Sequence, residues 1–140
     1  MDTTIDAPTH EATKSTTTRA VWVGRVLSGL PVLFLIFDVT IKLMGHPAVA
    51  EASAKLGLPE NGSKPIALVL LACLALYLVK RTAPLGAVLL TGYLGGAVLV
   101  HVRVNDPLFS HTLFPIYVGA MLWAGLYLRD ARVRRLLTAP

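Results

Sequence analysis

Asp38 and Lys42 are ionisable residues inside the strongly apolar stretch that opens the chain's first hydrophobic third. Four residues apart on a helix, they share one face and can neutralise each other. Charges in such a stretch are costly and usually mark a polar cavity or a proton path. The competing reading is an internal ion pair, with Lys42 extending its stem outward to reach polar surroundings. A second group follows at His101-Val102-Arg103, Asn105-Asp106-Pro107 and Ser110-His111, and His46 lies four residues beyond Lys42. Nitrogen and oxygen donors from His46, His101, His111, Asp38 and Asp106 suit a metal ion. The same groups can relay protons or hydrogen-bond the oxygens of a quinone head group. They can also simply tie helix ends together as a polar network. No H-x-x-H or H-E-x-x-H spacing occurs, so no metal site is assigned. Gly92, Gly95 and Gly96 form a third feature, with a Gly92-x-x-x-Gly96 spacing that lets helix backbones approach closely in lipid. Packing within the chain is the simpler use of that face and homodimerisation the other; Gly24 and Ser28 offer a weaker version. Cys73, alone among leucines, reads as an inert packing residue.

The elements that must hold these residues follow from composition. Of 140 residues, 54% are hydrophobic and only 15% charged, with a mean hydropathy of +0.64. Soluble domains carry about 25% charged residues, so the chain reads as an integral membrane protein and one domain. A net charge of +5 would suit nucleic acid, but a basic nucleic-acid module does not need half its residues apolar. A single cysteine excludes an internal disulfide, paired-cysteine redox chemistry and thiolate zinc sites.

Four apolar spans are expected, at about 20–44, 65–79, 84–102 and 108–128. Residues 1–19, rich in threonine, read as a disordered tail; residues 20–137 form the membrane domain. A cleaved leader ending at Ala48-Val49-Ala50 or Ala52-Ser53-Ala54 is disfavoured by the polar tail and by Asp38 and Lys42. Pro31 and Pro115 fall inside the first and fourth spans and are expected to kink them. Between spans one and two, Pro47 can open a short interfacial helix, Glu51 and Lys55 support it, and Gly57 with Pro59 can close it. The other loops are short, which makes consecutive helices antiparallel neighbours. The expected fold is all-α, a four-helix bundle running up-down-up-down.

Nine basic residues (Lys14, Arg19, Arg25, Lys80, Arg81, Arg129, Arg132, Arg134, Arg135) fall on one side of this topology. Lys42, Lys55, Lys64 and Arg103 fall on the other. The positive-inside rule then puts both termini in the cytoplasm, and the whole net charge lies on that side. Trp22, Tyr77, Trp123 and Tyr127 are expected in the aromatic belt there. Arg129 to Arg135 reads as a basic juxtamembrane helix end attracted to anionic lipid heads.

The runs Leu76-Tyr77-Leu78, Arg81-Thr82-Ala83, Leu85-Gly86-Ala87 and Leu89 to Ala97 form a recognisable pattern. So do His101-Val102-Arg103-Val104, Pro107 to Pro115, and Gly125 to Asp130, with Ser28-Gly29-Leu30 through Lys42-Leu43 in span one. Over about residues 20–137 the chain resembles the DoxX-like family of membrane proteins. The resemblance implies a bacterial four-helix protein of the cytoplasmic membrane. It also implies an association with membrane oxidoreduction, including a quinone-linked thiosulfate-oxidising complex and a partner role in oxidative-stress assemblies. Two positions depart from the family pattern. Leu68-Val69-Leu70 stands where span two often carries an acidic residue, and Lys80 where a proline is common. Asp38 is therefore the obvious partner for Lys42.

Three functions are compatible with these residues. The first is an accessory subunit without catalysis of its own, binding a lipid-soluble molecule such as a quinone through Asp38, Lys42, His101, Arg103, Asp106, Ser110 and His111, and supporting a membrane redox partner. The second is a small transporter or proton-coupled channel using Asp38 and Lys42. The third, an autonomous oxidoreductase, has no cofactor motif behind it.

Overall fold

The structure, a computed structural model, describes residues 9–59 and 61–138, with side chains from residue 18 onward. Among them the chain is helical throughout, with no strand. The helices are α1 (Thr9–Met44), α2 (Pro47–Lys55), α3 (Ser63–Leu78), α4 (Ala83–Arg103), α5 (Phe114–Arg129) and α6 (Ala131–Thr138). A single π-helical turn, Leu108–Thr112, precedes α5. Helix α1 begins at Thr9, within the stretch expected to be an unstructured tail; residues 1–8 lie outside the described residues. Extending a formed helix costs far less than nucleating one, so the apolar segment can carry polar turns ahead of it.

Three runs are long and apolar enough to cross a bilayer: Thr18–Met44, Ala83–Arg103 and Leu108–Arg129. They coincide with the first, third and fourth expected spans. The second expected span becomes α3, whose 16 residues reach about 24 Å, short of a hydrocarbon core of about 30 Å. Pro31 lies inside α1, which continues through it. Pro115 does not interrupt the last span as expected. It sits in the first turn of α5, where a missing N–H costs nothing.

Packing follows from a three-to-four-residue spacing of buried side chains on each long helix. Val32, Leu35 and Val39 on α1 meet Leu70, Leu74 and Tyr77 on α3, Leu90 and Leu94 on α4, and Val118, Leu122 and Leu126 on α5 in one core. Helix α1 packs on α3 and α5, and α4 packs on α3 and α5. The outward faces are apolar as well: Leu33, Val69, Val88, Leu99 and Ile116 are all exposed. Helices that are hydrophobic all round belong in lipid, where the outer face loses nothing by staying apolar.

Helices α1 and α5 approach closely where they cross. A Cβ on Gly125 would collide with the Ser28 hydroxyl and stand 2.7 Å from the Gly24 carbonyl oxygen. One on Gly24 would stand 2.9 Å from the Gly125 carbonyl oxygen. Beside this crossing Tyr77 is fully buried, so it is a core residue rather than the interfacial aromatic expected. Its hydroxyl lies 2.8 Å from the Leu122 carbonyl, to which it donates, and 3.1 Å from Ser28 Oγ. The Arg129 guanidinium stacks over the same ring, 5.0 Å from its centroid. Its Nε and Nη2 are buried without a hydrogen-bond partner, and the ring face supplies the compensating attraction.

Candidate functional site

Three helices end together near the polar residues, and each ends the same way. Gly45 and Gly57 have φ of +67° and +65°, and Asn105 has φ of +56°. After α1, the Gly45 N–H reaches the Lys42 carbonyl and the His46 N–H reaches that of Ile41. Gly57 and Leu58 repeat the pattern on Ala54 and Ser53, as do Asn105 and Asp106 on Val102 and His101. This paired closure needs a left-handed residue just past the helix, a role suited to Gly or Asn. It turns the chain sharply after Lys42 and after Arg103, keeping their polar neighbours at one end of the molecule. His46 then starts α2, its Nδ1 accepting from the Ala48 N–H at 3.2 Å, with Pro47 in the first helical turn.

Beneath α2 lies a cavity of about 780 Å³. Its walls are Phe37, Asp38, Ile41 and Lys42 of α1, Val49, Ala52 and Ser53 of α2, Ser63 and Ile66 of α3, and Gly92, Tyr93, Gly96, Ala97, Val100 and His101 of α4. On both α1 and α4 these positions repeat every three to four residues, so each helix gives one face to the cavity. The lining is mainly apolar, with a polar pole. There Lys42 Nζ donates to Asp38 Oδ2 at 2.5 Å and points a longer contact, 3.4 Å, at Tyr93 Oη. Lys42 and Asp38 expose only 22% and 24% of their side chains. The pair is therefore partly desolvated, and its formal charges cancel within the site.

The other expected site residues are divided. His101 lines the cavity, and its Nδ1 is 2.6 Å from Asp106 Oδ2. Asp106 stands behind it, outside the cavity wall, and fixes the ring. Arg103 is not part of the cavity. Its Nη2 donates to the Leu56 carbonyl at 2.5 Å and lies against Gly57, where a Cβ would come within 2.8 Å of it. Arg103 thus holds the end of α2 against α4. Ser110 and His111 bond each other, Oγ to Nδ1, at 2.8 Å on the exposed rim. The His111 ring is 6.1 Å from that of His101, edge to face. His46 touches the cavity but spends its Nδ1 as a helix cap. Among the described residues no three His, Cys, Asp or Glu side chains come together as metal ligands would.

Gly92, Gly95 and Gly96 do not form the close packing expected within the chain. No atom beyond the adjoining residues and the helix's own backbone lies within 4 Å of where their Cβ atoms would be. Gly92 and Gly96 line the cavity instead, and their missing side chains leave its volume open. Tyr93 was absent from the expected site. The signal was present in its spacing, since Tyr93, Ala97, Val100 and His101 share one helical stripe that ends on a histidine already singled out. Ser53, whose hydroxyl is 2.9 Å from that of Ser63, joins α2 to α3 at the cavity wall and had no comparable signal.

These features define a helical membrane protein with a mainly apolar, partly open cavity and a paired-charge polar pole at one end. A family model for the DoxX-like family matches residues 26–125, from the first span through most of α5. The chain belongs to the DoxX-like family. No curated protein matches it, and no solved structure does.

Proposed function

We propose that the protein binds a neutral, lipid-soluble small molecule in this cavity, with a quinone the ligand class that fits best, and that it serves a membrane redox partner as an accessory subunit. The observation that carries this reading is the cavity, whose apolar walls surround a polar pole. Lipid-soluble ligands favour such a site, where a few placed polar groups fix orientation. Because Asp38 neutralises Lys42, a charged ligand would leave a net charge buried, whereas a neutral carbonyl needs only donors. The Lys42 ammonium carries three N–H donors and the Tyr93 hydroxyl one; the ammonium has a donor to spare beyond its Asp38 and Tyr93 contacts. A quinone oxygen can accept from that pole while its apolar remainder lies along Phe37, Ile66 and the Gly92–Gly96 floor.

In this reading α1, α3, α4 and α5 cross the cytoplasmic membrane of a bacterium as an up-down-up-down bundle. Helix α3 crosses by local thinning of the bilayer, at modest cost. The bias of basic residues places both termini in the cytoplasm, which puts the cavity toward the opposite face.

The test is thermal unfolding of the purified protein across a quinone concentration series. A ligand present at about 100 times its Kd stabilises by about 2.7 kcal/mol, a rise in Tm readily seen. Lys42→Met and Tyr93→Phe, each folded, are expected to reduce that rise. A Tm unmoved by short-chain benzoquinones and naphthoquinones alike, or an equal rise in both variants, would sink the reading.

A further inference from the structure

At the end of the molecule away from the cavity, α5 stops at Arg129 and the chain turns at Asp130, which is extended at φ −119°, ψ 109°. The Asp130 carboxylate caps the next helix, accepting from the Arg132 backbone N–H at 2.9 Å and from its guanidinium at 2.8 Å. Arg132 also donates to the Lys80 and Arg81 carbonyls of the α3–α4 loop. Helix α6 is thereby drawn across the end of the helices instead of continuing α5. Val133 is buried, 2% exposed, whereas Leu136 and Leu137 on the same face are 75% and 64% exposed. With 3.6 residues per turn, Arg132 and Arg134 flank that apolar face on either side and Arg135 lies opposite it. So the first turn of α6 is held by protein and its last turn overhangs, apolar below and basic around.

We infer that α6 is a membrane-surface helix whose partner is the anionic headgroup layer of the bilayer beside the protein. Leu136 and Leu137 enter the acyl boundary there, Arg134 beside them meets lipid phosphates, and Arg135 adds positive charge above the surface. Three observations select this occupant. The helix directly follows a run long enough to cross the membrane, so its overhang is at headgroup level. Its only described acid, Asp130, is already taken by Arg132, which leaves Arg134 and Arg135 to attract negative charge. Its apolar face is two leucines wide, enough to dip into an interface and too narrow for a stable protein interface. The inference does not depend on what the cavity binds.

An eight-residue helix is marginal alone in water, so its last turn reports on what covers it. Hydrogen–deuterium exchange at 134–138 is measured on the full chain in nanodiscs of phosphatidylcholine alone and with phosphatidylglycerol added. Exchange is expected to slow by about tenfold in the anionic discs, with the gain lost at about 1 M salt, where the screening length is about 3 Å. Replacing Leu136 and Leu137 with serine removes protection in both lipids. R134Q with R135Q removes only the dependence on lipid charge. Equal exchange in the two disc types, or protection surviving in the serine variant, overturns the inference. Both variants alter exposed side chains, and circular dichroism of the remaining helices checks that they fold.

Discussion

Two stretches of this chain carry small residues four apart, and they do opposite things. At Gly24 and Ser28, α1 meets Gly125 so closely that neither glycine has room for a methyl group. At Gly92 and Gly96 the same spacing faces open space. The first brings two backbones into contact; the second is the unfilled side of a cavity. Spacing alone states that a helix face is flat. Whether a neighbouring helix or a void occupies that face depends on what the other helices present to it. At the α1–α5 crossing the partner is another glycine. Across the cavity it is the Asp38–Lys42 pair of α1, which requires space and polar surroundings.

Substitutions separate the two faces. The largest effect is expected from Gly125→Leu, which drives a branched side chain into the Gly24 carbonyl and Ser28. Overpacking at a rigid site costs about 3 kcal/mol or more, and the variant should show a sharply lower unfolding midpoint in denaturant or fail to accumulate. Wild-type stability would break the contrast at once. Next comes Tyr77→Phe, which strips the buried hydroxyl from the Leu122 carbonyl and Ser28, for a loss of about 1–2 kcal/mol by the same measurement. Gly96→Leu should leave stability within about 1 kcal/mol of wild type, since a helix interior favours leucine over glycine and nothing blocks it. It should, however, abolish the quinone-dependent rise in Tm by filling the cavity. A Gly96→Leu protein as damaged as Gly125→Leu would show that the two faces are alike after all.

The smallest effect concerns pH. The Arg132 side chain bonded to Asp130 holds that carboxyl below its ordinary value. A depressed folded-state pKa adds stability at pH values above the unfolded value of about 4, and the contribution disappears as pH falls through the folded one. Helix α6 should therefore stay capped at neutral pH and fray only under acid below about pH 4. Amide exchange at 131–135 measures this, and Asp130→Asn, which keeps a capping oxygen but no charge, should flatten the profile.

Much of the fold was legible because hydropathy and length act locally. The three long apolar runs, the short helix opened by Pro47 and closed at Gly57, and membership of the family could all be read along the chain. Asp38 and Lys42 were legible as a pair for the same reason, being one helical turn apart. What could not be read were contacts between distant residues. Arg103 reaches the Leu56 carbonyl, 47 residues away, and nothing near either residue announces it. Tyr77 carries the composition of an interfacial aromatic, and only the Ser28 hydroxyl and Leu122 carbonyl across the core make its burial affordable. The glycines of α4 show the limit most clearly, since a cavity is a property of what is missing from several helices at once.

The attachment of α2 bears on the site in a different way. This helix packs chiefly on α3 and is held at its far end by the Arg103–Leu56 bond and at its middle by the Ser53–Ser63 bond. Segments with few packed neighbours and partly exposed hydrogen bonds open at a lower free energy than the core does. The wall of the cavity formed by α2 is therefore expected to open at a lower free energy than the others. Opening of α2 would uncover that side of the cavity without unfolding the other helices.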